Sequence, residues 1–172
     1  GGGGGQSEAP VAHCEAFLAR DAKAPADRYR KVGNSGAHGR GNQWYGDLVT
    51  GPGWGDSWLN EAYATWAQAK ATTVLKPEYQ APLESLERRL GAMASDSLLI
   101  TRNVRQPFLG RGYIQTAFAG LTSQKGSIVL AIFETWVVED TFRHGMRSYL
   151  ARPAFVRVRS ADLLPPFYSA RV

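Results

Sequence analysis

Two serines lie in glycine-containing patterns of the kind that can present a nucleophile. Residues 33–36 read Gly-Asn-Ser-Gly, close to the sharp turn on which some hydrolases expose a serine, but that turn needs a glycine where Ala37 stands. Residues 55–57 read Gly-Asp-Ser, without the downstream Asp-x-x-His that a second type of serine hydrolase would need. Ser35 and Ser57 are therefore only weak candidates for a nucleophile.

Two further patterns contain groups that could react or bind. Cys14 follows His13, but neighbouring side chains rarely face each other, and no third group that would orient the histidine is evident. The glycine-rich segment 33–42 carries Arg40 and could bind an anion through its backbone amides, although it lacks the lysine and hydroxyl pair of a Walker motif. The simpler interpretation of this segment is a loop.

The glycine content of segment 33–42 decides its predicted conformation. Glycines stand at positions 33, 36, 39 and 41. Each glycine weakens a helix by about 1 kcal/mol relative to alanine, because its backbone loses more conformational freedom on folding. A loop or a frayed helix is therefore predicted there, unless tertiary packing overrides the propensity.

Helices are predicted for most of the chain after the Gly-Pro-Gly turn at 51–53. Apolar residues at helical spacing predict four helices, over residues 57–75, 78–95, 114–138 and 139–151. Asp56 or Ser57 is expected to cap the first helix, and wide burial is expected for the third. Valines alternate with arginines over 156–159, which predicts a brief strand. The fold class is thus mostly α, in one domain.

Length and composition indicate an ordinary globular chain. Of its 172 residues, 44% are hydrophobic and 20% are charged. No apolar run approaches the roughly 18–20 residues of a membrane span, and no signal-peptide pattern is visible. Residues 1–5 are interpreted as a linker or tag. Because Cys14 is the only cysteine, an internal disulfide is excluded and a cytoplasmic location is favoured.

Positive charge is concentrated near the C-terminus. From Arg143 onward the chain has six arginines and one acidic residue, Asp162, and this segment accounts for the formal net charge of +5. The arginines stand at 143, 147, 152, 157, 159 and 171. Such a segment could bind an acidic partner or nucleic acid. The simpler interpretation is a solvated surface.

Three blocks of sequence together resemble a known family. Residues 43–50 read Gln-Trp-Tyr-Gly-Asp-Leu-Val-Thr, and residues 58–65 read Trp-Leu-Asn-Glu-Ala-Tyr-Ala-Thr. The third block combines Lys-Gly at 125–126 with Phe-Arg-x-Gly-x-Arg-x-Tyr-Leu at 142–150. In combination these blocks resemble the zinc aminopeptidases of the gluzincin clan, to which the alanyl and leucyl aminopeptidases belong.

The resemblance implies a zinc site with three ligand positions. In this family a His-Glu-x-x-His motif ends directly before the first block, and eighteen residues separate its second histidine from a glutamate of the second block. Here eighteen residues separate Asn42 from Glu61, so the spacing agrees. The resemblance therefore assigns the ligand positions to His38, Asn42 and Glu61.

The catalytic positions implied by the resemblance hold different residues in this chain. The motif reads His-Gly-Arg-Gly-Asn over 38–42. Gly39 stands where the family has its general base, Ser123 where it has an oxyanion-stabilising tyrosine, and Gln6 where it has a glutamate that binds the substrate amine. Glycine cannot transfer a proton, and the neutral amide of Asn42 is a poor zinc ligand.

These observations lead to an expected fold and an expected loss of chemistry. We expect residues 6–164 to form the helical lobe of a thermolysin-like aminopeptidase catalytic domain with little β structure, followed by a tail at 165–172. We expect no cofactor, or zinc if the site is still occupied. The expected role is a scaffold or binding module without zinc peptidase activity, which associates with a protein partner or a second copy and not with a membrane.

An alternative function is left open by the same residues. In this alternative the chain is a hydrolase, either peptidase or esterase, with residual or repurposed activity in the old cleft. It would use a metal at His38 and Glu61, or a serine such as Ser35 or Ser57.

Overall fold

The structure is a computed structural model that describes residues 25–98, 101, 103–105, 120–151, 156–165 and 167. Its helices are α1 (Ala26–Asn42), α2 (Ser57–Leu75), α3 (Ala81–Asp96), α4 (Gly120–Val137) and α5 (Glu139–Leu150). Short helical turns cover Gln43–Leu48, Trp54–Asp56, Pro77–Tyr79 and Ser160–Leu163. The strands β1 (Val49–Thr50) and β2 (Val156–Arg157) pair in parallel. The mostly α fold class and the brief strand are confirmed.

Helix α1 runs through the glycine-rich segment, so the predicted loop over 33–42 is wrong. The physical reason is packing against α2. Gly41 lies so close to α2 that a Cβ on it would stand 2.7 Å from the Cα of Ala64. The helix is also supported at its start, where Asp27 pairs with Arg30 and Lys31 one turn later and interacts favourably with the helix dipole.

Helix α2 lies between α1 and α4 and is the centre of the fold. Its Ala62 and Ala64 are fully buried. A Cβ on Gly126 of α4 would stand 2.5 Å from the Cβ of Ala62, so α4 also approaches α2 through a glycine. Such close approaches are possible only where both surfaces carry small residues. Both glycines therefore have a packing role that outweighs their low helix propensity.

Polar contacts join α2 to α4 farther along the two helices. Trp66 Nε1 donates a hydrogen bond to Glu134 Oε2 at 3.1 Å, and Lys70 forms an ion pair with the same carboxylate. The ammonium of Lys70 also lies over the Trp66 ring, 5.2 Å from its centroid. These contacts hold one end of the interface between the two helices.

Aromatic side chains fill the core between α2 and α5. Tyr45 stacks on Tyr63, with ring centroids 3.9 Å apart, and on Tyr149 of α5. Phe142 of α5 packs beside Phe167, which is buried although we assign it to the tail. The domain boundaries at residues 5 and 164 stay predictions.

Several expectations about which apolar side chains pack are wrong. Trp44, which we expected to pack as part of the first sequence block, is 53% exposed, and Ile132, expected to be buried in α4, is 64% exposed. In α4 burial is confined to the stripe that faces α2 and α5, where Leu130 is 2% exposed. The apolar stripe of α3 is present as predicted, but Leu83 and its neighbours along the stripe are more than half exposed.

Within the residues that the structure describes, no helix combines the length and the apolar character needed to cross a membrane. Cys14 lies outside these residues.

The substitution Gly126→Ala tests the close packing of α4 on α2. We expect it to destabilise the domain by about 1–3 kcal/mol, since the new methyl would overlap Ala62 and the two helices would have to separate. Urea unfolding of the two proteins measures the difference.

Gly91→Ala in α3 is the matched control for this substitution. Among the residues with described positions, none outside α3 lies within 4 Å of a Cβ on Gly91, so alanine should instead stabilise by roughly 0.5–1 kcal/mol through helix propensity. Equal effects of the two substitutions would contradict the packing argument.

Candidate functional site

The candidate site is formed where three helices meet. His38 comes from α1, Glu61 from α2 and Ser123 from α4. His38 lies three positions before Gly41, and Ser123 lies three positions before Gly126, so each stands one turn from a close contact with α2. The packing of glycine on alanine therefore brings both side chains toward Glu61.

The Glu61 carboxylate makes the polar contacts of the site. Its Oε2 lies 3.4 Å from His38 Nε2 and accepts a hydrogen bond from Ser123 Oγ at 3.3 Å, which is long for a bond between two oxygens. Ser123 is buried, and the side chains of His38 and Glu61 are mostly buried. The structure thus brings together three of the positions selected from the sequence.

Two further selected positions lie in the last turns of α1. Asn42 is 5% exposed and stands one helical turn after His38. Asn42 interacts with other groups, although its side-chain Oδ1 accepts no hydrogen bond from the described part of the chain. Gly39 is buried as well, and it offers only backbone atoms to the site. Gln6 lies outside the described residues, so its predicted role is not tested.

The donor set at these positions does not match that of a zinc site. Proteins bind zinc through thiolate, imidazole and carboxylate groups, with at least three protein ligands in catalytic centres. Here only His38 and Glu61 are of those types, and the third position offers a neutral amide. Across the residues with described positions, no three His, Cys, Asp or Glu side chains are placed to hold a metal ion. The residues present therefore do not fit the ion.

The proposed serine nucleophiles are placed differently from what their patterns suggest. Ser35 lies inside α1, one turn before His38, so segment 33–36 is not a strand-to-helix turn. Ser57 begins α2 and lines a cavity of about 270 Å³, whose other walls include Tyr45, Asn60 and Tyr149. The pair of Cys14 and His13 lies outside the described residues.

Asp56, for which the sequence predicts a capping role, is a buried carboxylate of this cavity. It occupies the position before α2 but makes no side-chain capping hydrogen bond. Instead its Oδ1 accepts hydrogen bonds from Ser160 Oγ at 2.5 Å and from Arg105 Nε at 3.3 Å. Burial alone would raise the pKa of Asp56, but these hydrogen bonds outweigh it and the pKa lies below the ordinary value. No local pattern could reveal partners this distant in sequence.

The contact between His38 of one helix and Glu61 of the next agrees with the metallopeptidase domain that the sequence resemblance implies. Comparison with known proteins agrees, because the Peptidase family M1 domain matches residues 8–171. The chain belongs to peptidase family M1.

Curated relatives of this chain are aminopeptidases. The chain is 32% identical to probable aminopeptidase 1 of Saccharolobus solfataricus over 149 residues, which cover 86% of this chain and 19% of that protein. It is 30% identical to the alanine/arginine aminopeptidase of Saccharomyces cerevisiae over 141 residues, which cover 80% of this chain and 16% of that protein. The chain thus spans about a fifth of the length of such relatives.

The substitution Asp56→Asn tests the hydrogen bonds of this carboxylate through their pH dependence. The pKa of folded Asp56 lies below 3.8, its ordinary value, so its stabilising contribution is present above about pH 4 and is lost as the pH falls below 3.8. At pH 7 we expect the variant to be about 1–3 kcal/mol less stable than wild type, and at pH 3 we expect a smaller difference. Urea unfolding at both values measures it.

Asp140→Asn is the control, since Asp140 pairs with Arg143 on an exposed helix surface and should change stability by under about 0.5 kcal/mol. If Asp56→Asn lowers the free energy of unfolding by the same amount at pH 7 and at pH 3, the charge of Asp56 does not contribute to stability.

Proposed function

We propose that this chain is a non-catalytic M1 domain that serves as a scaffold or binding module. The observation that supports this most directly is the composition of the site around Glu61. Three positions to which the family resemblance assigns chemistry hold Gly39, Asn42 and Ser123. These three replacements affect proton transfer, metal binding and charge stabilisation separately.

The physical consequence differs at each of the three positions. Gly39 has no side chain that could take a proton from a water molecule. Asn42 offers a neutral amide where an imidazole would bind zinc. Ser123 is shorter than a tyrosine and directs its hydroxyl to Glu61, so this hydroxyl is not directed at a developing oxyanion. The remaining His38 and Glu61 contact each other.

A binding role is supported by exposed apolar surface on α3. Leu83, Leu86, Leu90 and Met93 follow one stripe of this helix, and each is more than half exposed. Contiguous apolar surface of this kind favours association with a protein partner or with a second copy.

The arginine-rich C-terminal segment gives less support for an acidic or nucleic-acid partner. Arg143 already pairs with Glu139 and Asp140 on α5. Part of the positive charge of the arginine-rich segment is therefore compensated within α5.

Residual hydrolase activity is the second candidate function. It is favoured by the contact between His38 and Glu61, in which the carboxylate could orient the imidazole as a base. Ser35, one turn away on α1, is the serine nearest in sequence to this pair.

Metal content and peptidase activity test the proposal together. We expect purified protein to contain well under one zinc per chain and to hydrolyse aminoacyl-anilides no faster than buffer, with or without a chelator. Elemental analysis and an absorbance assay measure these quantities. Stoichiometric zinc with turnover would overturn the proposal, and turnover of esters that survives the chelator would favour the serine hydrolase.

Asn42→His is the matched control for the metal measurement. It supplies a second imidazole one helical turn after His38, and we expect zinc to bind at least about tenfold more tightly than to wild type. Titration with zinc, followed by calorimetry, measures the change. Equal affinities would mean that Asn42 is not the residue that limits metal binding.

A further inference from the structure

One carboxylate oxygen links the three helices of the site. Glu61 Oε2 accepts the Ser123 hydroxyl from α4 and lies beside the His38 imidazole of α1. Each helix contributes one of these side chains. In the described part of the chain, α1 and α4 are thus connected through Glu61 by polar contacts, in addition to the glycine packing on either side of α2.

Glu61 is largely buried, so its two polar contacts are important for the stability of its carboxylate. Its side chain is 16% exposed, and that of His38 is 24% exposed. A carboxylate with so little access to water is stable only when hydrogen-bonding groups replace the lost hydration. Removing one partner would leave an acceptor that neither water nor protein satisfies fully.

We propose that the contacts of Ser123 and His38 with Glu61 have replaced a metal ion as the link that holds α1, α2 and α4 together. This inference rests on the proposed function, because it requires that zinc is not the link. It gives Ser123 a structural role: the residue at the position of the family's tyrosine connects α4 to Glu61. The folded domain accordingly needs no metal.

A double-mutant cycle in chelator tests this link. Ser123→Ala and Glu61→Ala should each lower the midpoint of thermal unfolding by roughly 3–6 °C at pH 7. The double variant should melt no lower than Glu61→Ala alone, because without the carboxylate the hydroxyl no longer links the two helices. The same cycle with His38→Ala should show the same non-additivity.

Ser95→Ala is the control for removing a helix hydroxyl. Ser95 donates a hydrogen bond to the Gly91 carbonyl of its own helix at an exposed site, and its loss should shift the midpoint by less than about 2 °C. If Glu61→Ala does not fold, Glu61→Gln takes its place in the cycle, with about half the coupling, since it keeps an acceptor oxygen and loses the charge.

The outcomes separate this inference from the proposed function. Additive shifts, or a Ser123→Ala shift no larger than that of Ser95→Ala, would overturn the inference and leave the proposed function intact. A wild-type midpoint that falls in chelator and recovers with one equivalent of zinc chloride would overturn both. A midpoint unaffected by chelator, together with non-additive shifts, would support the link through Glu61.

Discussion

The close approach of α1 and α4 to α2 is the constraint on which the rest of the structure depends. Gly41 meets Ala64 on one side of α2, and Gly126 meets Ala62 on the other. Helices in contact through glycine can neither slide nor separate without losing many packing contacts. Because the site residues of α1 and α4 each lie one turn from such a glycine, their meeting at Glu61 follows directly from the packing.

The same constraint explains how the fold and the chemistry of the family can be separated. Packing requires small residues at the helix contacts and aromatic residues in the core, and this chain has both. The candidate site depends on other residues, because Gly39, Asn42 and Ser123 are not the residues that make the close helix contacts. A fold of this kind supports function only through the side chains placed on it, so the packing of the helices and the chemistry of the site can vary separately.

Exposed and buried surfaces are divided unevenly among the helices. The interface between α2 and α4 is packed and is closed by the contacts of Trp66 and Lys70 with Glu134. By contrast, the apolar stripe of α3 and Trp136 of α4 are largely exposed. Apolar side chains that the domain does not bury itself are available for association, which agrees with a binding role.

The sequence by itself determined the helical class, the approximate extents of α2, α3 and α5, and the brief strand. Apolar periodicity is a local signal, and it was sufficient for these features. The tertiary structure decided the rest. It made segment 33–42 helical, since the contact of Gly41 with α2 outweighs the local cost of four glycines. It also paired Ser123 with Glu61, 62 positions away, and directed the α3 stripe outward. Contacts between residues distant in sequence determine these features, and local patterns do not record them.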